Sequence, residues 1–342
     1  MQVIFEEKDH KYYKIIEGIK IREGLSMTTF IGKFKQKYQE HFWSIYTAVR
    51  RELQIEDRKE FSALCKQHGF NFKRHDSFDT QEERVLFLKS CIGKLVDWNK
   101  VINNTSKEVK QDWQDKKEDA CNVGTEFHEH KEEKVYETKK ALIGDVEVNL
   151  ASNNVSQGTK DIRYSKDLSN LEDGYHPELL LYLSSIILEG SEYDLFLTGQ
   201  ADKVYIETIN GIRYVDVDDY KTNEKIMESN FFTKMEFPIN HLDDCNFIHY
   251  SLQITGYARI LEEYGYVVRN LNFTHHDIKK LGMTKNIDYD LLGKEKVTVK
   301  KVSYMKEEFE EMIKFYFDNN KKTVANYKPN KEVKVKSKYS FE

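Results

Sequence analysis

LTGQADKVYIETINGIRYVDVDDYKT, residues 197–222, carries the strongest structural signal in this chain. Apolar and polar residues alternate on both sides of Asn210-Gly211, and this dipeptide is a strong signal for a two-residue β-hairpin turn. Asp202 lies in the first predicted strand, and Asp219 and Lys221 end the second. Such residues are depleted in strands, and a buried charge is unfavourable unless it is paired or bound to a metal. The hairpin therefore predicts a polar site on two adjacent strands.

The residue types at the end of the hairpin indicate metal chemistry. Asp219 and Lys221 are two residues apart, so they project from the same face of a strand. Carboxylates on adjacent strands, here Asp202 and Asp219, can hold a hard divalent cation. A lysine beside them can orient or deprotonate a water molecule. We therefore expect one or two ions of Mg²⁺ or Mn²⁺, with Lys221 as a catalytic residue.

The two ends of the hairpin also carry a family resemblance. GQAD at residues 199–202 and DYKT at residues 219–222 resemble the split active-site motif of the PD-(D/E)XK nuclease superfamily, in its RecB-like and phage-type exonuclease branch. The resemblance implies an α/β fold with a restriction-endonuclease-like core of helix, three strands, helix and strand in a mixed sheet. It also implies catalytic roles for Asp202 and Asp219, a metal contact from the Tyr220 carbonyl and a substrate contact from Thr222.

Two elements upstream of the hairpin match the same branch. Gly124 and His128, in a helix predicted over residues 115–139, match its G-x-x-x-H element, which implies that His128 is a metal ligand. By itself, a histidine on a helix is usually a surface or core residue. Glu178, at the start of a strand predicted over residues 179–188, matches P-E-x-x-L. The resemblance implies a catalytic carboxylate close to the metal or its waters, with a strand-end charge as the alternative.

A helix with an apolar stripe follows the hairpin. It is predicted over residues 247–264, and Gln253 lies within the stripe at helical spacing. A buried glutamine requires a hydrogen-bonding partner. Gln253 and Tyr257 match the Q-x-x-x-Y motif of the branch, which implies that they bind substrate or order catalytic groups. Tyr257 also fits a core aromatic. A strand is predicted after this helix, at residues 266–274.

The N-terminal residues resemble the opening of phage-type members more weakly. Short strands are predicted at residues 3–5, 12–16 and 19–21, and the pattern Phe5, His10, Tyr12 precedes a predicted helix start. Ser26 or Thr28 is suited to cap a helix that begins near residue 29. Because a helix N-terminus can also bind phosphate, both are candidate substrate-binding residues, with capping alone as the alternative. We expect a structural role for His10.

Three regions are predicted along the 342 residues. Residues 1–117 are expected to form a β-hairpin and a helical lobe packed on the core, with helices near 41–53, 58–68 and 81–100. Residues 118–280 are the expected nuclease core, with an inserted loop at 141–173. Residues 281–342 are a predicted C-terminal helix and lysine-rich tail. The lysines within 314–338 suit phosphate contacts, and a solvated tail is the alternative.

Composition limits the other classes of protein. The net charge of −5 argues against a generally basic nucleic-acid coat but not against a nuclease whose acids face a metal. The four cysteines form no C-x-x-C pair, which predicts reduced thiols, a cytoplasmic protein and no iron–sulfur cluster. Because no run of eighteen apolar residues occurs, we expect no membrane span. The start, MQVIFEEKDHKYYK, predicts no targeting peptide.

These features together predict a metal-dependent deoxyribonuclease that acts as an exonuclease on DNA ends. The expected setting is recombination, repair, replication or phage DNA metabolism. The expected partners are single- or double-stranded DNA and a recombination or single-strand-binding protein, with no membrane partner. A structure-specific or restriction-like endonuclease is the alternative enzyme. A catalytically inactive nucleic-acid-binding protein is the alternative of another class.

Overall fold

The computed structural model describes residues 2–72, 77–152, 161–186 and 195–320, and it confirms the expected mixed α/β class. The strands are β1 (Gln2–Glu6), β2 (Lys11–Ile16), β3 (Ile19–Glu23), β4 (Leu25–Ser26), β5 (Lys140–Ile143), β6 (Val146–Asn149), β7 (Ile162–Tyr164), β8 (Gly174–Ile186), β9 (Leu195–Ile209), β10 (Ile212–Lys221), β11 (Val267–His276) and β12 (Val297–Lys301). The main helices are α1 (Met27–Gly32), α2 (Glu40–Glu52), α3 (Arg58–Gln67), α4 (Gln81–Ile92), α5 (Ser106–Thr138), α6 (Asn246–Glu263) and α7 (Lys306–Asn320).

The predicted hairpin forms the centre of the largest sheet. β9 and β10 are antiparallel, with Val204 opposite Val217. Asn210 and Gly211 at the turn both have positive φ, 51° and 78°, as a type I′ turn requires. β10 pairs in parallel with β11, which pairs with β12. On the other side β8 runs antiparallel to β9, and β4 adds a short parallel pairing to β9.

The two faces of the β9–β10 pair carry different polar residues. Lys203 is 1% exposed, and its Nζ donates to Asp218 Oδ2 at 2.9 Å and to Thr274 Oγ1 at 3.0 Å. Successive side chains of a strand point to opposite faces, so Lys203 and Asp218 lie on the face opposite to Asp202 and Asp219. Lys203 and Asp218 form a buried ion pair on one face of the sheet. Asp202 and Asp219 lie on the other face, which carries the candidate site.

Helix α6 covers the site face of the sheet. It lies within one residue of its predicted bounds at each end, and Ile254, Ala258 and Leu261 of its apolar stripe are fully buried. These side chains join Leu197, Val217 and other strand residues in the main apolar core. The stripe therefore fixes which face of α6, and which polar residues within it, meet the sheet.

The predicted inserted loop, residues 141–173, contains regular structure in its described part. β5 and β6 form a hairpin around Gly144, and β7 pairs with β1 in a four-stranded sheet of order β3-β2-β1-β7. The Asn- and Ser-rich composition near residue 153 obscured the alternating residues of β5 and β6. Residues 153–160 lie outside the described part.

The chain divides into two compact units, and the division differs from the predicted regions. Met1–Gln36 groups with Gly124–Glu342, and Lys37–Val123 forms the second unit. The predicted region 1–117 is thus divided between the two units. Its N-terminal strands belong to the first unit, which contains the main sheet and is called the sheet unit below. The second unit has an aromatic core that includes Phe42, Phe61 and Trp98. Its helices α2 and α3 match prediction, whereas α4 ends at Ile92 rather than near residue 100.

The C-terminal helix predicted after residue 281 is α7. Most of the lysine-rich segment 314–338 lies outside the described residues, which end at 320. Within the part of the chain that the structure describes, no helix is long and apolar enough to cross a membrane.

Candidate metal centre

Three residues that are far apart in the sequence converge on one point of the sheet unit. They are His128 of α5, Glu178 of β8 and Asp202 of β9, and one ligand atom of each lies within 4.8 Å of the others. His128 Nδ1 is 3.3 Å from Asp202 Oδ1 and 3.6 Å from Glu178 Oε1. The structure thus brings together the predicted ligands His128 and Asp202, with Glu178 beside them.

Strand register places the two carboxylates side by side. Pro177 pairs with Lys203 and Leu179 with Ala201, so Glu178 lies opposite Asp202. The backbone of Glu178 has φ +46°, in the left-handed region that residues other than glycine rarely adopt. Such conformations cost about 1–3 kcal/mol and cluster at functional sites. Gln200 Nε2 holds the side chain by donating to Glu178 Oε2 at 2.5 Å.

Burial and charge set the protonation of the cluster. Burial opposes protonation of His128, but the Asp202 and Glu178 carboxylates outweigh it and raise the pKa of His128 well above its ordinary value. For Asp202, burial favours the neutral acid, but His128, Lys221 and a backbone N–H lower its pKa. That N–H belongs to Tyr220 and donates to Asp202 Oδ2 at 2.6 Å. The cluster is thus a buried anionic site that attracts a positive charge.

The donor set fits a divalent metal ion. Two carboxylates provide hard oxygen ligands of the kind that Mg²⁺ and Mn²⁺ accept. The imidazole of His128 is better suited to Mn²⁺ than to Mg²⁺. The two carboxylates favour a protonated His128. A metal ligand must be deprotonated, so binding of an ion would displace this proton from the imidazole.

Asp219 and Lys221 lie at the end of β10 and form an ion pair. Lys221 Nζ donates to Asp219 Oδ2 and, at 3.3 Å, to Gln253 Oε1. Burial raises the pKa of Asp219 to about 7, and the Asp202 carboxylate adds to this. Among the described residues, Asp219 is not in the three-residue group above. The ligand roles expected for Asp219 and for the Tyr220 carbonyl stay predictions.

The glutamine and tyrosine of α6 extend this chain of contacts. Gln253 Nε2 donates to the Tyr257 hydroxyl at 2.9 Å, so Gln253 links Lys221 to Tyr257. The Tyr257 ring packs directly over Gly199, where an added Cβ would lie 2.4 Å from Tyr257 Cε1. The motif glycine at 199 is therefore needed for this close approach. Tyr257 is both a core aromatic and a contact of Gln253.

A cavity of about 260 Å³ adjoins the cluster. Ser26, Thr28, Gln253 and Tyr257 line it together with the three clustered residues. Ser26, one of the two predicted caps, is the N-cap of α1, because its Oγ accepts from the backbone N–H of Thr29 at 3.2 Å. The helix begins at Met27 rather than near residue 29, so Thr28 lies within it.

The remaining predicted substrate residue, Thr222, lies beside α5. Its Oγ1 is 3.9 Å from the point that a Cβ on Gly124 would occupy. A side chain at position 124 would therefore be in ordinary van der Waals contact with this hydroxyl. The contact with substrate expected for Thr222 stays a prediction.

Sequence reasoning missed an arginine in the same cavity. Arg163 of β7 lines it, and both terminal nitrogens of its guanidinium donate to the Glu132 carboxylate, at 2.9 and 2.8 Å. Glu132 lies one turn after His128 on α5. The Arg163–Glu132 pair is largely buried, with side chains 14% and 12% exposed. No local signal marked Arg163, because its position depends on the pairing of β7 with β1.

Comparisons with known proteins assign this chain to no family. No protein-family model matches the chain, and no curated protein matches it. The crystal structure of SSO0001 shows a likeness with a TM-score of 0.24 and 14% sequence identity, which covers 45% of this chain and 52% of that one. The match thus spans about half of the length of that chain. A likeness of this extent indicates neither a shared fold nor a function.

Proposed function

We propose that this protein is a metal-dependent deoxyribonuclease of the PD-(D/E)XK superfamily, in its RecB-like branch, that hydrolyses phosphodiester bonds at DNA ends. The observation that carries the proposal is the convergence of His128, Glu178 and Asp202 beside the Asp219–Lys221 pair. The order α5, β8, β9, β10, α6, β11 supports it, because this is the helix, three strands, helix and strand expected for the core. Strands β5, β6 and β7, which lie between α5 and β8 in the chain, are additions to that order.

The residues of the site would have separate roles in metal binding and catalysis. His128, Glu178 and Asp202 would hold Mg²⁺ or Mn²⁺, with Asp219 and the Tyr220 carbonyl as further ligands. Such an ion would supply Lewis acidity at the phosphate and a more acidic bound water. Lys221 is held by Asp219 and Gln253, so its ammonium group can orient the attacking water or balance developing negative charge.

The polar residues around the cavity would position the substrate strand. Gln253 and Tyr257 approach it from α6, and Ser26 and Thr28 approach it from the start of α1. Hydroxyl and amide groups can bind phosphate and sugar oxygens without reading the sequence. The proposed partner is therefore a DNA end. The recombination or single-strand-binding partner and the cytoplasmic location expected from the sequence stay predictions.

Digestion of DNA by matched lysine variants tests the proposal. End-labelled linear single- and double-stranded DNA and closed circular DNA are incubated with Mg²⁺ or Mn²⁺. Lys221→Ala is expected to keep its circular dichroism spectrum and lose about 100-fold or more in cleavage rate. Lys225→Ala is the control, because Lys225 is exposed on the segment that follows β10.

Each outcome separates the candidate functions. Cleavage restricted to linear DNA supports the exonuclease, and cleavage of closed circles supports the endonuclease. DNA binding without metal-dependent cleavage by the wild type supports an inactive binding protein. Undiminished digestion by folded Lys221→Ala would remove the proposed mechanism.

A further inference from the structure

The N-terminal hairpin forms an aromatic wall of the cavity that contains the candidate metal cluster. Phe5, His10 and Tyr12 line this cavity together with His128 and Asp202. The Phe5 and Tyr12 rings are buried, with centroids 4.7 Å apart. The His10 ring meets Phe5 edge-on at 5.1 Å, and its side chain is 79% exposed. The wall thus has a rigid base and an exposed aromatic ring at its outer end.

The turn holds His10 in a conformation that a histidine can adopt. His10 lies between β1 and β2 with φ +51°, and its N–H donates to the Glu7 carbonyl at 3.1 Å. Among residues other than glycine, histidine, asparagine and aspartate are enriched in this left-handed conformation. The side chain contributes little to the core because it is exposed. The imidazole ring is therefore available to a ligand in the cavity.

The position of the ring is also defined. His10 Nδ1 lies 3.7 Å from the Glu7 carboxylate, and Phe5 supports the ring from one side. A planar ring held in this way can stack on a ligand with a smaller entropy cost than a free side chain. It offers a π-face to a base.

The size and chemistry of the cavity indicate which ligand it accepts. Its volume of about 260 Å³ is near the lower limit for small-molecule sites. This size suits one nucleotide. The carboxylates and the imidazole of His128 suit a metal-bound phosphate. The aromatic rings that line the same cavity suit a nucleobase, because every base can stack on an aromatic side chain.

We propose that His10, supported by Phe5, is the stacking platform for the base of the nucleotide whose phosphate lies at the His128–Glu178–Asp202 cluster. The terminal nucleotide then enters the cavity unpaired. The preferred substrate is a single-stranded DNA end or a duplex end with a single-stranded overhang. This inference rests on the proposed function and adds to it a substrate class and a binding residue.

The test compares His10 variants on strands with and without a terminal base. His10→Ala removes the ring, His10→Phe keeps a ring without a titratable proton, and His241→Ala is a control at an exposed histidine of the same unit. The substrates are end-labelled single strands with a normal terminal nucleotide or with an abasic one, placed at the 5′ or the 3′ end. The readouts are KM, kcat and the anisotropy of fluorescent strands.

On the normal strand, His10→Ala is expected to raise KM about 5- to 100-fold, as loss of one base–aromatic stack predicts. His10→Phe and His241→Ala are expected to stay within about twofold of the wild type, since each retains the ring at position 10. On the strand whose abasic nucleotide occupies the cavity, the wild type and His10→Ala are expected to have the same KM. Blunt duplexes are expected to be digested more slowly than duplexes with overhangs.

Two results would overturn the stacking role. One is an unchanged KM in His10→Ala. The other is an equal loss on normal and abasic strands, which would indicate a structural role. The proposed nuclease function fails separately, if the wild type cleaves no DNA with either metal. In that case, anisotropy with the two kinds of strand still measures whether His10 binds a base.

Discussion

The contact between Gly199 and Tyr257 gives a quantitative test of how the site is built. Gly199→Ala would place a methyl group 2.4 Å from Tyr257 Cε1 and 3.3 Å from both Cδ1 and Cζ. Tyr257 is 3% exposed within the main core, so neighbouring side chains confine its ring. Overpacking of this kind costs about 1–3 kcal/mol. A displaced ring also loses the 2.9 Å hydrogen bond from Gln253, which adds about 1 kcal/mol.

We therefore expect Gly199→Ala to lower the free energy of unfolding by about 2–4 kcal/mol. Urea denaturation followed by circular dichroism measures it. Gly32→Ala is the matched control, because a Cβ there meets nothing within 4 Å. Its expected effect is within about 0.5 kcal/mol.

A double-mutant cycle identifies the cause. In a Tyr257→Leu background the ring is absent, so Gly199→Ala should cost much less than in the wild type. The same loss in both backgrounds would refute the explanation, as would a loss as small as that of Gly32→Ala. Cleavage should also fall in Gly199→Ala, since Gln253 would no longer be held to orient Lys221.

Three further predictions concern metal, pH and the hairpin turn. Mn²⁺ at 100 times its Kd should stabilise the wild type by about 2.7 kcal/mol, which thermal denaturation measures. Asp202→Asn should lose this stabilisation. The control Asp290→Asn, at an exposed position, should keep it. Burial lowers the pKa of His176 to about 4, so the unfolded chain takes up a proton first as the pH falls. Stability is then complete above about pH 6.5 and falls by up to about 3 kcal/mol towards pH 4, a decline that His176→Gln should reduce in urea titrations across this range. Gly211→Ala should cost about 1–2 kcal/mol by the same measurement, because its φ is +78°.

Local sequence signals were sufficient to predict β9, β10 and α6. The turn at Asn210-Gly211 and the alternation around it predicted β9 and β10, and the apolar stripe predicted α6 within one residue at each end. Both are short-range patterns, in which each residue contributes to the same periodicity. The start of α1 was predictable for the same reason, since the Ser26 cap is a local hydrogen bond.

Long-range pairings had no comparable signal. β7 has three residues, and it forms only by pairing with β1, about 160 positions away in the chain. The place of Arg163 in the cavity depends on that pairing, so composition alone suggested a loop. β5 and β6 did carry alternating residues around Gly144, but the Asn- and Ser-rich residues after them dominated the interpretation.

The sequence predicted which residues form the candidate site, but it did not predict their backbone conformation or their ion pairs. The resemblance of the motifs to the RecB-like branch implied that His128, Glu178 and Asp202 lie near one another. The motifs could not show that Glu178 has a left-handed backbone or that Asp219 pairs with Lys221. Both features depend on strand register and burial, which a single sequence does not specify.

The buried ion pair on one face of the sheet has a consequence for the fidelity of folding. If β10 slipped by one residue against β9, every side chain of β10 would change faces. In the register that would place Val217 opposite Lys203, the lysine would be buried with no counter-charge, and such an isolated charge is strongly destabilising. In the register that would place Asp219 opposite Lys203, Asp219 and its partner Lys221 would leave the face of Asp202. Either slip takes apart the candidate site, so the buried ion pair on one face and the polar cluster on the other depend on the same strand alignment.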